Sequence, residues 1–239
     1  MTKKTKLLTL SIALVFLLTP VVTLGINTLL IPKPAASTVN SPIRVACVGD
    51  SITQITGYPS DLQSMLGSNY SVGNFGSTGS TVLLNSWKPY MDQPQFQEAE
   101  AYDPQIVVIM LGTNDDLQSL QQYNESFEED YAQIIHSFQQ LQSNPQIYIA
   151  SSPPIFSNDT DLSPSYLNNV IIPKTDALAS QLNLTTIDVH DAFGNDSALV
   201  NPDGVHPNFE GAEVIASQVC DAITYQSEDQ TDQTGLPTG

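Results

Sequence analysis

Four short blocks of this 239-residue chain hold residue types that can do chemistry together. They are Gly49-Asp50-Ser51, Asn74-Phe75-Gly76-Ser77-Thr78-Gly79, Gly112-Thr113-Asn114-Asp115 and Asp203-Gly204-Val205-His206-Pro207. Serine, histidine and aspartate are the side chains of nucleophilic acyl transfer. An unassisted serine hydroxyl is a poor nucleophile at neutral pH, so a base must take its proton as it attacks. Imidazole suits that work because it titrates near neutrality. An Asp three residues before a His is close enough on one turn to orient the ring and stabilise its cation. Glycine N–H groups and an Asn amide are donors that can surround a carbonyl oxygen as it becomes an anion. Taken singly, each block also has a plain structural explanation. Gly-Asp-Ser can be a turn with a helix cap, Asn-Phe-Gly and Thr-Asn-Asp can be loop chemistry, and Asp-Gly is a common turn beside a structural His. The argument rests on all four occurring in this order.

The elements that must carry these blocks alternate along the chain. Ile43–Val48, Ser71–Phe75, Ile106–Leu111, Ile147–Ala150 and Thr186–Val189 read as strands. Tyr58–Leu66, Glu125–Leu141, Tyr166–Leu182 and Phe209–Tyr225 have helical spacing, with a kink expected at Pro173. On Glu125–Leu141 one face gathers Phe127, Tyr131, Ile134, Ile135, Phe138 and Leu141. Strands that are apolar throughout and separated by helices imply an α/β fold, a parallel sheet covered on both faces. Ligands bind such sheets beyond the carboxyl ends of the strands. The first three blocks lie directly after the first three strands, and the fourth lies just before the last helix.

On these blocks, standing as GDSIT, NFGSTG, GTND and DGVHP, the chain resembles the SGNH hydrolases, or GDSL esterases, over Ile43–Tyr225. The resemblance implies a flavodoxin-like three-layer sandwich with five parallel strands. It implies Ser51 as nucleophile, Asp203 and His206 as the rest of a triad, and an oxyanion hole from the Ser51 N–H, Gly79 and Asn114. Gly76 stays open as the alternative backbone donor, because the second block has two glycines. The family's glycine shortly after the nucleophile is displaced here to Gly57. The implied activity is ester hydrolysis through a covalent acyl-serine.

Other groups compete for these roles. His190, between Asp188 and Asp191, is the rival base, while His136 is expected on a helix surface. Asp115 and Asp116 have no His or Cys at ligand spacing, so no metal or other cofactor is expected. The stretches around Gly57-Tyr58-Pro59, NFGSTGST, Pro89-Tyr90 and IVVIMLGTND are similar to family members that remove O-acetyl groups from carbohydrates, including sialate O-acetylesterase-like enzymes. A sugar site needs aromatic platforms and amide hydrogen bonds, which makes Gln54, Asn85, Trp87 and Tyr90 candidate substrate-binding residues. The alternatives are a lipolytic esterase or lysophospholipase, with Pro153-Pro154-Ile155-Phe156 as an apolar wall, and a degenerate surface binding module.

Composition limits the partners. The chain carries 25 acidic residues against 7 Lys+Arg, a formal net charge of −18. Lys3, Lys4, Lys6 and Lys33 precede position 34 and no acidic residue does, so the remainder holds 3 basic against 25 acidic groups, a net −22. Such a surface repels nucleic-acid phosphate and anionic lipid. Solubility explains it, as does life in a salty medium that screens the self-repulsion.

Residues 1–36 read as a signal peptide or signal anchor and the start of a linker. Lys3, Lys4 and Lys6 precede an apolar run from Leu7 to Ile31, long enough to span a bilayer. The positive flank predicts that end inside and the domain outside, with an uncleaved anchor preferred. Residues 37–42 continue the linker, 43–225 form the hydrolase domain, and 226–239 read as a disordered acidic tail. Five N-glycosylation sequons, at Asn69, Asn124, Asn158, Asn183 and Asn195, fit an exterior location. Cys47 and Cys220 read as small hydrophobes, with a disulfide between them left open.

Overall fold

The computed structural model describes residues 41–157 and 161–232, with 226–232 as helix backbone alone. The expected leader, anchor and most of the linker lie outside the described residues, as does the end of the tail.

Five parallel strands form one sheet: β1 (Ile43–Gly49), β2 (Tyr70–Gly76), β3 (Ile106–Met110), β4 (Gln146–Ala150) and β5 (Thr185–Ile187). Their order is β2-β1-β3-β4-β5. The chain leaves β1 for an edge strand and then returns past β1 to β3. The topology therefore reverses between β1 and β3, where the connections leaving their carboxyl ends diverge and open a crevice.

The helices are α1 (Ser51–Ile55), α2 (Tyr58–Leu66), α3 (Pro94–Ala101), α4 (Phe127–Gln139), α5 (Pro164–Tyr166), α6 (Ile172–Gln181), α7 (Val189–Phe193) and α8 (Phe209–Asp232). Alternate residues of a strand face opposite sides of the sheet. Val107 and Ile109 of β3 enter one core with Phe127, Tyr131, Ile134, Ile135 and Phe138 of α4. Ile106, Val108 and Met110 enter the other with Tyr58 and Leu62 of α2 and Ala212, Ile215, Ala216 and Val219 of α8. This is the expected three-layer α/β sandwich. Every residue of β3 is buried, and each large side chain so enclosed contributes about 1.5–3 kcal/mol.

Several local expectations change. Thr186–Val189 is not one strand: β5 ends at Ile187, and Asp188 caps α7 by accepting from the Asp191 N–H at 3.0 Å. The kink expected at Pro173 is a π-helical turn over Leu167–Ile171 that joins α5 to α6. A wider turn accommodates a ring that would otherwise collide with the preceding helical carbonyl and that brings no N–H. Helix α8 runs past position 225, where the tail was expected to begin, to Asp232. Helix α3 has no counterpart in the sequence reading. Among the described residues no helix is long and apolar enough to cross a membrane. Cys47 and Cys220 are both free thiols. Asn69, Asn183 and Asn195 are exposed and Asn124 is half-buried. Asn158 lies outside the described residues.

Candidate active site

The end of β1 delivers the first block to the crevice. Asp50 caps α1, its Oδ1 accepting from the Ile52 N–H at 2.9 Å. Ser51 is therefore the first helical residue, with its backbone N–H aimed out of the helix end. Its hydroxyl meets a side chain from far along the chain: His206 Nε2 lies 2.9 Å from Ser51 Oγ. His206 Nδ1 lies 2.8 Å from Asp203 Oδ2. The other carboxylate oxygen of Asp203 accepts from the N–H groups of Val205 at 2.9 Å and His206 at 3.0 Å. One carboxylate thus fixes both the turn and the ring. Partial burial pushes the Asp203 carboxyl up, but the two backbone N–H groups and the imidazole outweigh it and hold it below the usual carboxylate range. The turn is braced from β4's exit, where the Phe156 N–H donates to the Gly204 carbonyl at 2.7 Å.

Geometry separates the two histidines. His190 Nδ1 lies 3.1 Å from the Ser152 carbonyl, and its backbone N–H donates to Ser151 Oγ at 2.9 Å. It serves the junction of β4 with α7, while His206 meets Ser51. His136 is exposed on α4, as expected.

The two glycines of the second block also separate. Gly76 donates its N–H to Asn74 Oδ1 at 3.0 Å. A Cβ there would lie 2.3 Å from the Gln54 backbone N and 2.8 Å from the Asp50 carbonyl oxygen, so only glycine lets β2 approach α1. Gly79 has φ +75 and its N–H donates to no group among the described residues. Of the two, Gly79 is the one with a free donor.

Asn114 follows β3 in a short 3-10 turn, Asn114–Asp116. Its Nδ2 donates to Asp50 Oδ2 at 3.3 Å and to the Ser80 carbonyl at 3.0 Å. Both amide hydrogens therefore have protein acceptors, and service to an oxyanion requires one of these bonds to be shared or exchanged. Asp50 itself is a site residue that sequence reasoning passed over. Burial pushes its carboxyl up to about 6, with the Ile52 N–H and His206 pulling the other way. Asp115 is another: its two oxygens accept from the Val82 and Leu83 N–H groups, each at 2.9 Å, and burial pushes it up to about 7. Asp116 Oδ2 accepts from the Ser163 N–H at 2.8 Å. These carboxylates bind loops to the sheet. Their signal in the sequence was their place directly after strands. Among the described residues no group of three or more His, Cys, Asp or Glu stands at metal-binding distance.

The candidate substrate residues divide. Tyr90 is a correction: it is fully buried, packs edge-on against Phe96 at 5.9 Å and donates its hydroxyl to the Phe75 carbonyl at 2.6 Å. It is a core side chain whose one polar atom is satisfied by a strand end. Gln54 is exposed, but its Oε1 accepts from the Thr78 N–H at 2.9 Å and the Thr78 hydroxyl at 2.5 Å. Asn85 is exposed. Trp87 is 59% exposed and lines a groove of about 670 Å³ with Leu117, Gln118, Ser119 and Asp161.

Comparison with known proteins agrees with this geometry. The model of the GDSL-like lipase/acylhydrolase family matches residues 47–214. An acetylxylan esterase of Xylanibacter ruminicola is 34% identical over 206 residues, covering 76% of this chain and 43% of that protein. The chain thus spans less than half the length of the curated relative it matches. Among solved structures, a carbohydrate esterase of family 3 from Talaromyces cellulolyticus superposes with a TM-score of 0.58 at 18% identity, over 78% of this chain and 99% of that one. A carbohydrate acetylesterase family member from Sinorhizobium meliloti gives 0.60 at 20% identity, over 77% and 98%. At those identities the structures speak for the fold. The match over 47–214 goes further: this chain belongs to the GDSL-like lipase/acylhydrolase family of carboxylic ester hydrolases.

Proposed function

We propose that this chain removes acetyl groups from carbohydrate through a covalent acetyl-Ser51 intermediate. The observation that carries the mechanism is the continuous path from Ser51 Oγ to His206 at 2.9 Å and on to Asp203 at 2.8 Å. His206 takes the serine proton as Oγ bonds to the ester carbonyl carbon. Asp203 holds the ring tautomer and stabilises the imidazolium. The carbonyl oxygen, now an anion, is met by the N–H groups of Ser51 and Gly79 and the amide of Asn114. As the C–O bond to the sugar breaks, His206 returns the proton to the departing oxygen, which leaves as an alcohol. Water then repeats the sequence on acetyl-Ser51, with His206 again the base, and acetate leaves.

Two observations support carbohydrate as the alcohol part. The relative of 34% identity is an acetylxylan esterase. The Trp87 groove combines an exposed indole face with the polar groups of Gln118, Ser119 and Asp161, the pairing of apolar platform and hydrogen-bonding groups that a sugar ring needs. The proposed apolar wall for a long acyl chain is occupied elsewhere, since Ile155 is buried in one core and Phe156 packs against the other. One feature favours the lipolytic alternative. Phe209, three residues after His206, is 70% exposed and lines a hollow with Met65, itself 41% exposed.

A series of p-nitrophenyl esters from two to sixteen carbons separates these readings. A long-chain groove gains about 0.8 kcal/mol per buried methylene, so a lipolytic enzyme improves along the series. Acetyl specificity gives the highest kcat/KM at two carbons and a fall beyond about four, each lost decade being about 1.4 kcal/mol of barrier. A maximum at eight carbons or longer rejects the carbohydrate reading. The apolar run from Leu7 to Ile31 behind three lysines supports export of the domain, where acetylated polysaccharide is met. An impermeant amine reagent reaches the domain in intact cells if that holds, and only after lysis if it does not.

A further inference from the structure

Lys88 is unusual among the few cations of this acidic chain. From residue 43 onward the basic residues are Arg44, Lys88 and Lys174. Arg44 pairs with Asp103 at 3.1 Å and Lys174 with Glu128 at 2.7 Å. Lys88 instead donates its Nζ to a backbone carbonyl, that of Thr78, at 2.6 Å. That carbonyl belongs to the peptide unit whose N–H is Gly79's.

The surrounding turn gives this contact its meaning. The Ser80 N–H donates to the Ser77 carbonyl at 3.1 Å, which closes a four-residue turn. Gly79, the third residue, has φ +75, while Thr78 is not among the positive-φ residues. This is the type II pattern, and type I differs from it by rotation of the central Thr78–Gly79 peptide. The peptide is trans, so its carbonyl and its N–H point in opposite directions. Rotating it would carry the Gly79 N–H away from the face it now serves. Two side chains oppose that rotation. Gln54 Oε1 holds the Thr78 N–H at 2.9 Å and Lys88 Nζ holds the Thr78 carbonyl. Lys88 is itself anchored to this loop: its carbonyl accepts from the Thr81 N–H at 3.1 Å, and its N–H donates to Ser86 Oγ at 3.1 Å.

We propose that Lys88 is a positioning residue for the oxyanion hole, locking the Thr78–Gly79 peptide so that the Gly79 N–H faces the ester oxygen. The ammonium also polarises the peptide from its carbonyl end, which strengthens its N–H as a donor. In a domain of net negative charge, an oxyanion forms against the surrounding field. A cation one peptide away offsets part of that penalty. Nothing in the cation touches substrate, so its loss acts on the transition state and leaves ground-state binding alone.

This inference rests on the reading of Ser51 as nucleophile, and Ser51→Ala decides that reading separately by abolishing turnover. The test compares Lys88→Met, Lys88→Arg and Lys174→Met on p-nitrophenyl acetate, with affinity for a short alkylboronic acid as a tetrahedral mimic. Lys88→Met is expected to lose about tenfold in kcat with KM unchanged, and to bind the boronate more weakly by a similar factor. Lys88→Arg should recover most of both, since it can still donate to the carbonyl. Lys174→Met removes the same charge elsewhere and should match the parent. The proposal is overturned if Lys88→Met keeps kcat within about twofold, or loses only in KM. It is also overturned if boronate affinity is unaffected, if Lys174→Met shows the same loss, or if Lys88→Arg recovers nothing.

Discussion

Replacement of Asn114 by Ala separates catalysis from support in one variant. Its amide bridges two elements, reaching Asp50 Oδ2 at 3.3 Å and the Ser80 carbonyl at 3.0 Å. If the amide also serves the oxyanion, its loss raises the barrier by about 2.7–4 kcal/mol, roughly 10²–10³ in kcat. KM should change little, because the donor is most needed when the carbonyl oxygen carries charge. The structural effect is separate and smaller. Asp50 is 1% exposed and keeps its bond from the Ile52 N–H at 2.9 Å. The bond it loses is longer than the usual range, so the cost belongs near the low end of the ~1–3 kcal/mol for a stranded buried group. For a domain of this size about 1 kcal/mol lowers Tm by roughly 2–4 °C. Steady-state kinetics on p-nitrophenyl acetate and a thermal melt read the two effects independently. A variant that melts lower yet keeps kcat within about threefold of the parent would make Asn114 a structural bridge and refute its place in the oxyanion hole.

Three further outcomes are expected. His206→Ala should lose on the order of 10⁴-fold or more in kcat while His190→Ala keeps most activity, with Asp203→Asn between them; a dead His190 variant beside an active His206 variant would reverse the assignment. Burial raises Asp50 and Asp116 to about 6 and Asp115 to about 7, so the native state holds protons that the unfolded chain releases near pH 3.9. That stability is full below the unfolded value and is lost as pH rises through 6 and 7, while the lowered Asp203 acts only at more acidic pH; Tm should therefore be higher at pH 5 than at pH 8, and the opposite order counts against these burials. Gly76→Ala places a Cβ 2.3 Å from the Gln54 backbone N, an overpacking worth about 1–3 kcal/mol, and should lower Tm and activity together by displacing α1; unchanged activity would mean that α1 tolerates the shift.

The legible parts of this molecule were those in which a residue's surroundings lie close in sequence. Ile106–Met110 reads as a buried strand because all its neighbours in space are apolar. Asp203 and His206 sit on one turn, so their spacing alone brings them together. Tyr90 was misread because its polar tip and its loop setting suggest a surface, whereas its hydroxyl finds the Phe75 carbonyl across 15 residues. Helix α3 was invisible because its Gln, Glu and Ala content offers only Phe96 and Ala99 as a buried stripe. Gln54 and Lys88 carry no motif at all. What they hold is a backbone peptide, and nothing in a side-chain pattern marks which peptide will need holding.

The account stands on Ser51 acting as the nucleophile, and the most direct measurement is mass spectrometry of the protein after reaction with a fluorophosphonate. His206 at 2.9 Å and the free Gly79 N–H should make Ser51 the single labelled serine. Ser51→Ala should remain folded by thermal melt, take up no label and turn over no ester. Label on a different serine, or full turnover by Ser51→Ala, would contradict the triad and the oxyanion hole built around it.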